Sequence, residues 1–178
     1  GSSAAVAPSR DLMSARSLSI VIPVLDEAER LRAALAALAP LRARGEVELV
    51  VVDGGSSDGS AALCAGTVDA LLTSPRGRAR QMNKGAGAAT GDALLFLHAD
   101  TTLPPDAPAL VAEALAHHAW GRFDVHIAGR SRWLPIVAAL MNIRSRITGI
   151  ATGDQALFMR REAFDAVGGF PDQALMED

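Results

Sequence analysis

The chain has 178 residues, 49% hydrophobic and 21% charged, which supports one ordinary core and excludes disorder throughout. A formal net charge of −3 supplies no global field for a polyanion, so nucleic acid is not an expected partner. The single cysteine, Cys64, excludes an internal disulfide or a zinc knuckle, and no apolar stretch reaches the roughly 20 residues of a spanning helix, so the expectation is a soluble cytoplasmic protein. Residues 1–17 are small, polar and unpatterned and read as a flexible N-terminal segment. Leu18–Val24 is a β-branched run, and Asp26 and Glu29 follow at capping spacing, so a strand feeds a helix. That helix carries Leu31, Leu35, Leu38 and Leu41 and is expected to stop near Pro40. Residues 47–52 form an almost continuous apolar run, as a strand buried on both faces does.

A tight polar turn over 54–59 leads to an Ala-rich helix over 60–65, a third strand over 68–72, a helix over 77–89 and a fourth strand over 93–97. After Pro104 and Pro105, a helix carrying Leu110, Val111, Ala114 and Leu115 runs to His118. Beyond Trp120 the pattern changes: 122–128 alternates like an edge strand, 133–147 is helix-like, 155–160 is a strand, and Gly168-Gly169 marks a turn. The alternation predicts an α/β fold, a mostly parallel sheet with helices on both faces and ligands at the carboxyl ends of its strands. The second half reads as part of the same domain, and the lack of a stop signal at Glu177-Asp178 predicts that the chain is cut inside an element.

Four polar clusters follow the four predicted strands: Asp26-Glu27, residues 53–58, residues 76–84 and His98-Ala99-Asp100. Their convergence on one edge predicts a shared ligand site. Asp53 ends a buried strand before two glycines, and its carboxylate suits either a base or sugar donor or an Asx-type turn in which Asp53 and Asp58 satisfy local amides. Gly55-x-Ser57-x-Gly59 also matches a nucleophile elbow, and Asp100 with His117, His118 or His126 completes the order that a Ser57 acyl hydrolase needs. Such an elbow normally comes later in a larger sheet. Arg76, Arg80 and Lys84, with Arg78 beside them, make a basic stripe suited to a diphosphate or to solvent, and Gly77 and Gly85 permit close approach. Gly85, Gly87 and Gly91 precede a strand, which rules out a dinucleotide fingerprint. His98 and Asp100 share a face of an extended segment, and Asp100 suits Mg²⁺, which takes one or two protein carboxylates and completes its shell with phosphates and water. Zinc lacks further ligands at recognisable spacing. His117 and His118 suit a helix C-terminus, and His126 reads as structural.

Taken in order, Ser19-Ile20-Val21-Ile22-Pro23, residues 51–59, Asn83-Lys84-Gly85, residues 96–100 and Gly168-Gly169-Phe170 resemble the family 2 glycosyltransferases of GT-A fold, over about residues 18–178. Leu97-His98-Ala99-Asp100-Thr101, Thr152-Gly153-Asp154-Gln155 and Met176-Glu177-Asp178 make the chain most similar to the small bacterial group found alongside radical-SAM and selenium-related proteins. The resemblance implies one GT-A domain, with a nucleotide-binding half over 18–103 and an acceptor half over 104–178. It implies that Pro23, Glu27, Asp53, Ser56, Asp58, Arg80, Lys84, His98 and Ala99 contact a nucleoside-diphosphate sugar, UDP-linked, and that Asp100 binds a divalent cation, Mg²⁺ or Mn²⁺. Glu177 and Asp178 would be catalytic, with Asp178 as the base of a single inverting displacement, and Gly153, Asp154 and Gln155 would lie on the acceptor side. His98 stands where the family's Asp-x-Asp motif has its first acid, and the Gln-x-x-Arg-Trp motif of processive enzymes is not present, so polymer synthesis is not expected. A nucleotide-binding module with a disabled base is the non-enzymatic alternative. Arg122, Arg130, Arg132, Arg144 and Arg146 surround Trp133 and the 134–147 run, which suits ordinary helix packing, a phosphorylated acceptor, or peripheral contact with the inner face of an anionic membrane.

Overall fold

The computed structural model describes residues 18–123 and 156–172. Strands β1 (Leu18–Val24), β2 (Val47–Asp53), β3 (Ala70–Thr73), β4 (Ala93–Phe96), β5 (Trp120–Arg122) and β6 (Leu157–Arg160) form one sheet in the order β3-β2-β1-β4-β6-β5. β1 to β4 are mutually parallel, whereas β6 runs antiparallel to β4 and β5 antiparallel to β6. Every residue of β1 and β2 is buried, which explains their unbroken apolar reading. Leu18, Ile20, Ile22 and Val24 pack on one side with helices α1 (Ala28–Ala43) and α3 (Ala107–His117) and a 3₁₀ helix (Ser60–Cys64). Val21, Val50 and Val52 pack on the other side with α2 (Arg78–Ala88) and α4 (Arg161–Val167). The period-two alternation of the strands thus supplies two apolar faces, each covered by helices, as expected.

Several elements depart from the sequence reading, each for a local reason. α1 does not stop near Pro40 but runs through it to Ala43, and its end comes at Gly45, whose φ is +72°. A proline removes one amide, and burial of Leu38 and Leu41 on the sheet outweighs that loss. The expected helix over 60–65 is a five-residue 3₁₀ turn, and the third strand forms at Ala70–Thr73, two residues late. The expected edge strand over 122–128 appears as Trp120–Arg122; residues 124–128 and the expected helix over 133–147 lie outside the described residues. The strand expected over 155–160 forms at Leu157–Arg160, and α4, unassigned from the sequence, follows it directly. Gly168 and Gly169 end α4 with φ of +78° and +80°, the turn that the pair predicts.

Two consecutive arginines lock α4 and β6 against both helical layers. Arg161 donates from its guanidinium to Gly91 O, Ala89 O and Ala86 O, capping the carboxyl end of α2, while Arg160 donates to Leu115 O near the end of α3.

Gly85 approaches the sheet, not a ligand as the sequence suggested. A Cβ at this position would lie 2.3 Å from Val21 Cγ1 and 3.0 Å from Val52 Cγ2, both core atoms. Gly85→Ala is therefore expected to destabilise by up to about 2 kcal/mol, because a 2.3 Å contact with a core atom puts overpacking toward the top of its range of about 1–3 kcal/mol, against a helix-propensity gain of about 1 kcal/mol. A lowered urea midpoint with an unchanged m-value is the result to look for.

Candidate functional site

Four parallel strands present their carboxyl ends on one edge, and Val24 of β1 stands in register with Asp53 of β2. Where the β1–β2 ladder opens, Gln81 of α2 closes it: its Nε2, on a side chain 4% exposed, donates to Val24 O and Val52 O at 2.8 Å each. Gly54 N–H donates to Val24 O at 2.9 Å, and a Cβ on Gly54 would come within 3.1 Å of the Gln81 amide. The chains leaving β1 and β2 thus start from one fixed point.

From that point two loops interlock. Asp26 N–H donates to Ser56 Oγ (2.9 Å), Glu27 N–H to Ser60 Oγ (3.2 Å) and Ala28 N–H to Asp58 Oδ2 (2.7 Å). In return, Asp26 Oδ1 accepts from Ser57 N–H (2.7 Å) and Ser57 Oγ (3.2 Å). The expected capping of α1 by Asp26 and Glu29 is therefore corrected: Glu27 occupies the cap position without a side-chain cap bond, and the second loop supplies the oxygens. Hydrogen bonds from the Ser60 hydroxyl, then from the Ala28 amide, hold the Asp58 carboxyl below its usual range. A depressed folded pKa stabilises above the unfolded value of about 3.9 and is lost as pH falls through the folded value. Asp58→Asn is accordingly expected to flatten the acid limb of a stability-against-pH curve, measured by urea unfolding between pH 7 and pH 2.

Asp53 is 4% exposed. Its oxygens accept from Gly55 N–H (3.3 Å), Ser56 N–H (3.1 and 3.2 Å) and Ser56 Oγ (2.5 Å). Of the two sequence readings of Asp53, this geometry is the Asx-type turn. The neighbouring Cys64 thiol is pushed up by burial and secondarily by the Asp53 charge, which leaves it a core group and not a nucleophile. Ser57 donates to Asp26, and the left-handed residues of its loop are Gly55 and Gly59, not Ser57. A strained nucleophile hydrogen-bonded to an imidazole, as a hydrolase elbow requires, is not the arrangement of these residues.

The basic stripe splits. Arg80, half exposed, pairs with Asp172 at 2.9 Å, and Lys84 Nζ donates to Thr73 O at 2.5 Å. Between them, Asn83 pairs with both backbone groups of Phe170 at 2.9 Å each, in contact with the Phe96, Phe164 and Phe170 ring cluster. Sequence reasoning missed Gln81, which with Gly85 one turn on faces the sheet one residue over from Arg80 and Lys84. A glutamine four residues before a helical glycine is the signal that marks it.

The fourth cluster follows β4. Leu97 N–H still donates to Val21 O, and Thr101 N–H turns back to His98 O at 3.0 Å. Ala99 is buried, whereas Asp100 is exposed, with Oδ1 accepting from Thr101 Oγ1 at 3.3 Å beside a cavity of about 300 Å³ lined by Arg30, Ala33, Ala37 and Leu103. β1 alone separates β2 from β4, a lateral spacing of about 10 Å, and β4 ends at Phe96, level with Val50 and short of Asp53 along the strand direction. Among the described residues no three His, Cys, Asp or Glu side chains gather to hold a metal. One exposed carboxylate with a single long hydrogen bond fits a hard cation that brings its own phosphate oxygens, and does not fit a cage built from protein alone.

The end of β5 and the start of β6 lie at the same edge, because Arg122 pairs with Leu157, which pairs with Phe96. Phe123 N–H donates to Ala156 O at 3.0 Å, so the segment 124–155 leaves and re-enters there. His117 takes the last turn of α3, the dipole position expected for it. His126, Arg130, Arg132, Trp133, Arg144, Arg146, Gly153, Asp154, Gln155, Glu177 and Asp178 lie outside the described residues.

A family model described as Glycosyl transferase family 2 matches residues 19–168. The undecaprenyl-phosphate 4-deoxy-4-formamido-L-arabinose transferase of Sodalis glossinidius is 32% identical over 173 residues, covering 84% of this chain and 51% of its own length. The mannosyltransferase PcManGT of Pyrobaculum calidifontis, solved with GDP-Man and Mn²⁺, is 26% identical with a TM-score of 0.65, covering 91% of this chain and 49% of that one. Glucosyl-3-phosphoglycerate synthase of Mycobacterium tuberculosis, solved with Mn²⁺, UDP and glucosyl-3-phosphoglycerate, shares the fold at 21% identity and a TM-score of 0.57, covering 83% of this chain and 57% of that one. The chain spans about half the length of the relatives it matches.

Proposed function

The chain belongs to glycosyl transferase family 2 and has the GT-A fold, and from that premise we propose that it transfers a sugar from a UDP-linked donor to an acceptor hydroxyl with inversion at the anomeric carbon. The observation that carries the reading is the convergence of the Asp26–Glu27, Asp53–Asp58 and His98–Asp100 clusters on one edge, beyond three adjacent parallel strands across which a nucleoside diphosphate would lie. PcManGT was solved with GDP-Man and Mn²⁺ and the synthase with UDP, which supports this ligand class.

In this reading residues 18–103 bind the donor and residues 104–178 the acceptor, as parts of one domain. Pro23, Glu27, Asp53, Ser56 and Asp58 form the nucleoside side. The Ser56 hydroxyl is the rotatable partner of Asp53, and its rotation opens Asp53 Oδ1 to a base or ribose donor. Arg80 and Lys84 lie toward the diphosphate; the Arg80–Asp172 pair is exposed and therefore weak enough to exchange for a phosphate. His98 and Ala99 line the approach to Asp100, which would hold Mg²⁺ or Mn²⁺ together with diphosphate oxygens. A cation there offsets charge on the leaving diphosphate. The acceptor oxygen bonds to the anomeric carbon as the carbon–diphosphate bond breaks, and Asp178 takes the acceptor proton, with Gly153, Asp154 and Gln155 on the acceptor side. Emergence of 124–155 at the ligand edge supports that side for the acceptor and for the Arg130, Arg132, Arg144 and Arg146 group. The motif-level resemblance through Leu97–Thr101 and Thr152–Gln155 supports the radical-SAM and selenium-associated group as the closer kinship. Among the described residues, no helix is long and apolar enough to cross a membrane.

The test is thermal unfolding with UDP and GDP, each with and without Mn²⁺. Ligand at 100 times Kd is expected to add about 2.7 kcal/mol of stability, for UDP with Mn²⁺ above the rest. Melting unchanged by either nucleotide overturns the reading.

A further inference from the structure

Asp26 is the one non-glycine among the described residues with left-handed backbone, at φ +51°. That conformation is costly for an L-residue, although aspartate and asparagine tolerate it best, and it persists where surrounding contacts demand it. Here the demand is visible. After the left-handed turn, the amides of residues 26, 27 and 28 each donate to a separate oxygen of the other loop, Ser56 Oγ, Ser60 Oγ and Asp58 Oδ2. The Asp26 carboxylate returns the contact by accepting from both polar groups of Ser57. The Ser56 hydroxyl that accepts from Asp26 N–H is the one that donates to Asp53 Oδ1. A continuous path therefore runs from the Asp26 backbone through Ser56 to Asp53.

We propose that Asp26 is a positioning residue for nucleotide recognition: its left-handed backbone and its carboxylate together hold the Ser56–Ser57 turn in the orientation that presents Asp53 and Ser56 to the base and ribose. The proposal rests on the nucleotide reading of this edge. By linkage, what Asp26 does for the nucleotide the nucleotide does for the clamp, so ligand binding tightens the Asp26–Ser57 and Ala28–Asp58 contacts.

Three variants separate backbone from side chain. Asp26→Asn keeps a side-chain oxygen and tolerates the left-handed turn, Asp26→Gly keeps the turn and removes the clamp, and Asp26→Ala removes both. Calorimetric titration of UDP with Mn²⁺ is expected to give a Kd within about twofold of the parent for Asp26→Asn, about tenfold weaker for Asp26→Gly and weaker again for Asp26→Ala, the scale on which supporting contacts act. Transfer at saturating donor is expected to stay within about twofold for Asp26→Gly, so that KM moves and kcat does not. In the unsubstituted chain, UDP is expected to slow hydrogen exchange at the Ser57 and Ala28 amides, a measurement independent of how any variant folds. Parental affinity in Asp26→Gly, equal loss in Asp26→Asn and Asp26→Gly, or exchange at those amides unchanged by bound UDP each overturns the proposal alone. Failure of the unsubstituted chain to bind UDP overturns the nucleotide reading and this proposal with it.

Discussion

Asp100→Ala is expected to abolish the Mn²⁺ dependence of UDP binding and to lower sugar transfer by at least about 100-fold, the loss typical when one group stabilising a departing anion is removed. Two features of the site set this size. Asp100 is an exposed carboxylate whose hydrogen bond from Thr101 Oγ1 is long, so its lone pairs remain available to a cation. It also sits beyond β4, across β1 from Asp53, the direction in which a diphosphate would extend if, as proposed, its nucleoside is held at β2. Because the side chain carries little of the fold, the variant is expected to unfold within about 0.5 kcal/mol of the parent, which separates lost chemistry from lost structure. Calorimetry with UDP, with and without Mn²⁺, alongside a transfer or donor-hydrolysis assay reads both. His98 provides the internal control: if the histidine were the cation ligand, His98→Ala would remove the metal dependence and Asp100→Ala would spare it.

The sheet was legible because its information is periodic. β1 and β2 read as buried strands from unbroken β-branched runs, and the alternation with helices implied the parallel order that brings 53–58 and 98–100 to one edge. What stayed illegible is cooperative between distant segments. Nothing local to Asp26 announces that its amide is met by a serine thirty residues on, and Asp26 with Glu29 imitates a self-contained helix cap. Pro40 imitates a helix stop, yet the apolar face on both sides of it carries α1 onward to Ala43. Within α2, charge drew the reading to Arg80 and Lys84, whereas the neighbouring Gln81 and Gly85 make the contact with the sheet. The family was legible for the opposite reason: strand ends are punctuated by single acids and glycines whose order along the chain survives without any knowledge of their contacts.

Gln81 carries the largest expected effect on the fold itself. One amide nitrogen bridges the last ladder carbonyls of β1 and β2, and both site loops start there. Gln81→Glu would set a carboxylate against two carbonyl oxygens in a side-chain site that is 4% exposed. The two lost hydrogen bonds and the burial of an unpaired charge together predict a destabilisation of about 3–5 kcal/mol at pH 7. The introduced acid is expected to titrate above the ordinary glutamate value, since burial and neighbouring carbonyl dipoles both disfavour its charge. The sign follows: a raised folded pKa favours folding at low pH and penalises it as pH rises through the folded value. The variant should therefore recover stability relative to the parent as pH falls from 7 toward about 4.3, the unfolded glutamate value, while Gln81→Leu, equally unable to donate but uncharged, should lose about 2–3 kcal/mol at every pH. Urea midpoints of the three proteins at pH 7 and pH 4.5 decide it. Parallel shifts for both variants at both pH values would mean that the two carbonyls find other donors, and that the strand ends under the two interlocked loops are held by packing, without this amide.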